Sequence, residues 1–175
     1  MNLWRPKFEA IMAEFLEFDN ERRRGKMHIF PEIYGEMTLD ILGHQILITA
    51  IADRIEVDQE GRVYILDYKT GAIPTRQDIM RGISVQMLVE AMIADIGGFA
   101  GIHGSVHEMI YVKIASRAPY ITTQIYNAAE CNIAAHRDGL IKILSYYAAG
   151  APYLVNDNKK FAPKYNDYEH LAREE

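Results

Sequence analysis

A single cysteine, Cys131, serves a chain of 175 residues. That scarcity rules out a disulfide within the chain, a cysteine-rich zinc site and a four-cysteine iron–sulfur cluster. Any metal must sit on oxygen or imidazole. No stretch approaches the roughly 18 uncharged apolar residues that a membrane span needs. Arg5, Lys7 and Glu9 stand where a secretory leader would be apolar, so the expectation is a cytoplasmic protein with no membrane contact. Basic charge is not in excess either. The formal net charge is -5, which argues against gripping nucleic acid by bulk electrostatics alone, because phosphate contacts need local Lys and Arg. The glycine-rich stretch around residues 97–104 lacks the Gly-Lys-Ser/Thr ending of a phosphate loop. Acidity does not exclude an enzyme acting on DNA, since a site for divalent cations needs carboxylates and a larger partner could supply the basic surface.

What is present is ordinary for a folded chain: 49% hydrophobic and 25% charged residues. The length suits one domain over 1–175, with an N-terminal helix in 1–24, a core over 36–115, and a C-terminal helix and tail over 126–175. Phe8, Ile11, Met12, Phe15 and Leu16 recur at spacings of three and four behind Pro6, the signature of an amphipathic helix. From about 36 to 68 the texture becomes β-branched and aliphatic, and predicts three strands with turns at Leu42-Gly43-His44 and at Asp58 to Gly61. A helix is expected from about Gln77 to Ile96, with Thr75 and Asp78 in a capping box. A buried strand follows at 106–115, then a helix at about 128–148. Three consecutive strands suggest an antiparallel meander, and a long helix before the fourth suggests a crossover to a parallel neighbour. The fold class is therefore α/β, a mixed sheet of about four strands flanked by helices.

The chemistry concentrates in "YILDYKTG", residues 64–71. Side chains alternate across a strand, so Asp67 and Lys69 share one face while Tyr64, Leu66 and Tyr68 share the other. Gly71 and Pro74 follow at once, placing acid and amine where the strand opens into a loop. The preceding strand ends "TAIADRIEV" and brings Asp53, which a hairpin could set beside Asp67. Two carboxylates and a lysine suit metal-assisted phosphodiester hydrolysis: the oxygens hold Mg²⁺, and the ammonium orients the nucleophile or offsets developing charge. The backbone carbonyl of Tyr68 is the candidate for completing the protein's share of the metal shell.

Asp53, the Asp67-Tyr68-Lys69 triplet and Gln86 on the following helix together resemble the PD-(D/E)XK nuclease superfamily in its RecB-like branch. The wording "ADRIE", "ILDYKTG", "VQMLVEAMI", "GGF" and "YEHLAR" is closer still to the C-terminal nuclease domain of AddB-type double-strand break repair proteins. The similarity spans roughly residues 3 to 173. It implies a restriction-endonuclease-like core, with 36–115 as the catalytic core, and a magnesium- or manganese-dependent deoxyribonuclease of DNA recombination and repair, an exonuclease rather than an endonuclease. Asp53 and Asp67 would be metal ligands, Lys69 the catalytic lysine, and Gln86 a residue that contacts DNA or orders the site. DNA and a helicase or other recombination subunit would be the partners. Three departures stand out: the metal-binding histidine of related nucleases would fall before Trp4, the cysteine-held cluster of many AddB-like domains is excluded by a single cysteine, and the tyrosine often found four residues after the glutamine is Glu90 here. The alternative function is a nuclease-like domain that binds DNA or a repair partner without cutting.

Blander readings compete at each position. Asp67 and Lys69 could form a solvated strand-end ion pair, and Asp53 could be a turn acid paired with Arg54. Glu32, Glu36 and Glu90 are expected to be solvated acids. His103 and His107 have the spacing of helical zinc ligands, but the surrounding glycines argue against a helix there. Arg22, Arg23, Arg24 and Lys26 form a dense basic run and Lys159, Lys160 and Lys164 a looser one, each a candidate DNA contact or simply a solvated face. Tyr153, Phe161, Tyr165 and Tyr168 are expected to pin the tail to the body rather than to stack on bases.

Overall fold

A computed structural model describes residues 4–152. Helix α1 (Arg5–Arg23) leads into strands β1 (Lys26–Ile41), β2 (His44–Asp58) and β3 (Val63–Lys69). Helices α2 (Arg76–Met80) and α3 (Gln86–Asp95) precede β4 (Val106–Ile114) and β5 (Ile121–Asn127), and α4 (Ala128–Cys131) and α5 (Ile133–Ala148) close the described chain. The sheet has five strands in the order β1-β2-β3-β4-β5. Only β3 and β4 pair in parallel. The antiparallel meander and the helical crossover to a parallel neighbour thus match the sequence reading.

Four features differ from expectation. β5 is an additional strand, and β1 begins at Lys26 rather than near residue 36. The helix expected over Gln77 to Ile96 is two helices separated at Arg81 to Val85, and the last helix breaks at Asn132, whose φ of 48° is left-handed. There the Asn132 carboxamide oxygen accepts from the Ala135 amide and caps α5. The Thr75–Asp78 capping box is present in both directions.

Turn chemistry sets the β1–β2 register. Leu42 and Gly43 take φ values of 52° and 82°, both positive as a tight primed hairpin turn requires, and the Asp40 carboxylate accepts from the Gly43 amide. At the β2–β3 turn Asp58 accepts from the Glu60 and Arg62 amides, the Arg62 guanidinium and the Tyr64 hydroxyl. Burial opposes ionisation of Asp58, yet these bonds hold its carboxyl well below the ordinary carboxylate range. Burial and the bond to Asp58 push the Tyr64 hydroxyl up to about 12.

Two layers cover the sheet. On one face α3 and its neighbours bury Ile55, Val57, Val63, Ile65, Met109 and Tyr111. On the other, α1 packs Phe18 against Leu66, Ile110 and Val112. Here an ionic network replaces part of the apolar contact. Arg54, buried in β2, meets Asp19 and Glu56, and Arg22 donates to Glu56 at 2.5 Å. The hairpin turns over at Glu32, which has φ 45° and is skipped with Asp53 in the pairing of β1 and β2. Before the turnover Ala50 and Ala52 face the core; after it, Ile55 and Val57 do. The register is the same on either side of this interruption, and Asp53 stands at it.

Phe99 reaches back to β1, where a Cβ on Gly35 would lie 2.3 Å from its ring. Gly35→Ala is therefore expected to cost about 2 kcal/mol or more through overpacking. A urea-denaturation midpoint unchanged from wild type would contradict this packing.

Candidate active site

One step beyond the last paired residues of β2 and β3, Arg54 and Leu66, the antiparallel register sets Asp53 opposite Asp67. Cross-strand neighbours share a face, so both acids point to the α3 side. The Asp53 carboxylate accepts from the Tyr68 amide at 2.9 Å, so a side chain takes a donor that regular pairing would give to the backbone. The reading of Asp53 as a turn acid paired with Arg54 does not hold: Arg54 points to the opposite face and is engaged by Asp19 and Glu56.

Asp67 is almost wholly enclosed. The Lys69 ammonium stands 2.9 Å from each of its oxygens, but only the Oδ1 contact has hydrogen-bond geometry. Gln86, the first residue of α3, binds both partners. Its carboxamide nitrogen donates to Asp67 Oδ1 at 2.7 Å, and its oxygen accepts from the Lys69 ammonium at 3.0 Å. The bland reading of a solvated Asp67–Lys69 pair fails on the acid, whose side chain is 2% exposed, while the lysine keeps access to solvent.

One turn further along α3, Glu90 comes over the same cluster. It was expected to be solvated, yet it is 1% exposed, because α3 is buried on nearly every side. Gln86 donates to Glu90 Oε1 at 3.3 Å, and Glu90 Oε2 and Asp67 Oδ2 are buried with no hydrogen-bond partner. Burial pushes the Glu90 carboxyl up to about 8; Asp67 and Asp53 add to the rise, and Gln86 and Lys69 oppose it. Burial also raises Asp67, assisted by Asp53, while Lys69 and Gln86 pull it part of the way back. Three acids, one amine and one carboxamide thus converge at the C-terminal end of β3. Tyr111, which the sequence reading left as strand composition, lies beside Asp67 across the parallel β3–β4 pair and is fully buried.

Other candidates fall away from this cluster. Glu36 is exposed and accepts from the Tyr34 hydroxyl, and Glu32 is exposed on β1. His107 lies on β4 and His103 on the preceding loop. No group of three or more His, Cys, Asp or Glu side chains is arranged to hold a metal by themselves among the described residues. Much of the basic run at 22–26 serves the fold: Arg22 binds Glu56, Arg23 binds Asp19, and the Lys26 ammonium stands 3.1 Å from the centre of the Tyr64 ring. The basic residues at 159, 160 and 164 and the tail aromatics lie outside the described residues.

A mixed sheet flanked by helices, with this acid–lysine pair at the end of its third strand, is consistent with a restriction-endonuclease-like fold. The chain belongs to the PD-(D/E)XK nuclease superfamily, whose sequence profile matches residues 2–173. It is 37% identical over 182 residues to an uncharacterized protein of Rickettsia bellii, a match covering 96% of this chain and 22% of that protein. The uncharacterized protein RC0550 of Rickettsia conorii is 36% identical over 194 residues, covering 97% of this chain and 23% of the relative. The chain thus spans about a quarter of the length of the curated relatives it matches. Among solved structures, the crystal structure of SSO0001 aligns at a TM-score of 0.42 and 18% identity over 77% of this chain and 61% of that one. No helix among the described residues is long and apolar enough to cross a membrane.

Proposed function

We propose that this chain is a divalent-metal-dependent nuclease that hydrolyses phosphodiester bonds of DNA during recombination and double-strand break repair. The observation that carries the reading is the buried Asp67 carboxylate, set opposite Asp53 in the β2–β3 register, whose Oδ2 has no hydrogen bond and only the Lys69 ammonium beside it at 2.9 Å. Two buried or half-buried carboxylates facing one another are costly, Lys69 and Gln86 offset only part of that cost at Asp67, and a further cation between the acids offsets the rest. The donor set fits Mg²⁺ or Mn²⁺: two carboxylates, the Tyr68 carbonyl and water, all hard oxygen. Such an ion supplies phosphate polarisation and a water of lowered pKa.

The remaining roles belong to the chain itself. Asp53 and Asp67 hold the cation, and Asp53 fixes the Tyr68 peptide through its amide. Lys69, held by Asp67 and Gln86, places its ammonium toward the scissile phosphate, where it offsets the charge that develops in the transition state. Gln86 positions both groups through one rigid carboxamide. Its replacement by Ala is expected to slow cleavage roughly tenfold to a hundredfold without unfolding the protein, because a positioning contact is lost while the ligands remain. A Gln86→Ala rate equal to wild type in a single-turnover assay would remove it from the machinery.

The wording shared with AddB-type proteins supports a RecB-like exonuclease that works beside a helicase or other recombination subunit. The test is cleavage of single- and double-stranded DNA with Mg²⁺ or Mn²⁺, alongside Lys69→Ala and an EDTA control. Wild type should cut and Lys69→Ala should not. Cutting that survives the substitution would place the activity elsewhere, and no cutting by wild type would favour a domain that binds without cleaving.

A further inference from the structure

The first turns of helix α1 leave large apolar side chains exposed. On a helical wheel Trp4, Phe8 and Ile11 continue the stripe on which Phe15 and Phe18 meet the sheet. Phe15 and Phe18 are covered by that contact, Phe15 lying against Tyr68. Trp4 and Phe8 are 63% and 53% exposed, and their rings form an edge-on pair at 6.2 Å. A cleft of about 520 Å³ lies between α1 and the ends of β3 and β4; Trp4 and Phe8 do not line it but stand within one helical turn of Lys7 and Ile11, which do. Lys7, Ile11, Thr70, Lys113, Ser116 and Arg117 line it, and no acid among the described residues does.

Among the described residues the charges in this cleft have no acidic partner. Lys7 and Arg117 have no ion pair among the described residues, and the Lys113 ammonium donates to the Gly71 carbonyl rather than to an acid. The nearby acids of α1 are occupied: Glu9 by Arg5, and Glu14 by the Tyr120 and Ile121 amides. Thr70, on the cleft wall, directly follows Lys69. The cleft wall is therefore one residue along the chain from the candidate active site.

We propose that this cleft binds a single-stranded stretch of nucleic acid, with phosphates on Lys7, Lys113 and Arg117 and a base stacked on Trp4. Cations that track a backbone beside exposed aromatic rings are the elements from which sequence-tolerant single-strand sites are built. A duplex keeps its bases stacked inside and cannot use the rings, whereas a single strand uses both features. The nuclease reading supplies only the destination of the strand; the binding site stands on its own residues.

Trp4 is the chain's only tryptophan, so the full-length protein reports on the site directly. In EDTA, where metal-dependent cleavage is silent, a twelve-residue oligothymidylate should quench Trp4 fluorescence saturably, and more weakly as salt rises. The paired substitutions Lys7→Ala and Arg117→Ala should weaken binding by roughly tenfold or more, since each phosphate contact contributes to affinity. Trp4→Ala, followed by anisotropy of a labelled oligonucleotide, should weaken it by roughly fivefold to a hundredfold, the range for loss of one stacked base. A blunt duplex of equal length should bind more weakly and leave the fluorescence unchanged. Absence of quenching, indifference to the Lys7 and Arg117 changes, or equal quenching by duplex would each overturn the proposal. A wild-type protein that binds in this way in EDTA but never cuts when Mg²⁺ or Mn²⁺ is supplied would refute the nuclease reading and leave the cleft standing.

Discussion

Asp67→Asn is expected to lower the metal-dependent cleavage rate by roughly a thousandfold or more while leaving the metal-free protein at least as stable as wild type. The loss of rate follows from removing a ligand charge together with the partner that holds Lys69, and loss of one preorganised charge-stabilising group typically costs about a hundredfold to a thousandfold. The stability follows from the cost of the native carboxylate. Burial raises the Asp67 carboxyl above its ordinary value, and its Oδ2 has no hydrogen bond. An amide of the same shape avoids the burial of charge, as happens where stability is given up for function. Cleavage should be followed on labelled DNA and stability by denaturant titration in EDTA. Full activity in the variant would exclude Asp67 from the reaction, and a large loss of stability would mean that its charge serves the fold.

The second large effect belongs to Glu90 and appears as a dependence of stability on pH. The native carboxyl titrates near 8 rather than at the ordinary 4.5. Between these values the native protein keeps a proton that the unfolded chain has released. Stability attributable to this group is therefore fully present below the unfolded value and is lost as pH rises toward the folded one, at about 1.4 kcal/mol per pH unit. From pH 5 to pH 8 the loss amounts to about 4 kcal/mol. Glu90→Gln, which cannot ionise, removes this contribution to the slope. In EDTA the variant should match wild type near pH 5 and exceed it near pH 8 by a few kcal/mol. Parallel stability curves across this range would show that Glu90 is not held protonated in the native state.

How the sequence led to the site, and where it stopped, has a physical explanation. Alternation along "YILDYKTG" is local, so the shared face of Asp67 and Lys69 could be read from spacing alone. The turn residues near 42 and 58 fixed a hairpin, and a hairpin register implied a neighbour for Asp67 without coordinates. Glu90 was not legible in this way. Reading helix α3 as amphipathic assumes one solvated face, but Met87, Leu88, Ala91, Met92, Ile93 and Ala94 are buried around it, and that enclosure depends on α5 and β1, which are distant in sequence. Its i, i+4 spacing from Gln86 was the available signal. The edge strand β5 hid for a related reason: only Tyr126 is fully buried along it, so its hydrophobic alternation is faint. The basic run at 22–26 resembled a DNA contact because nothing local announces that Glu56, far along the chain, is buried and needs Arg22.

The central claim is that the two facing carboxylates of β2 and β3 create one site for a divalent cation. Titration of Mn²⁺ into the protein without DNA, with free ion counted by electron paramagnetic resonance, tests it most directly. The account predicts saturable binding that Asp67→Asn abolishes and Lys69→Ala preserves. Equal binding by wild type and Asp67→Asn would contradict it.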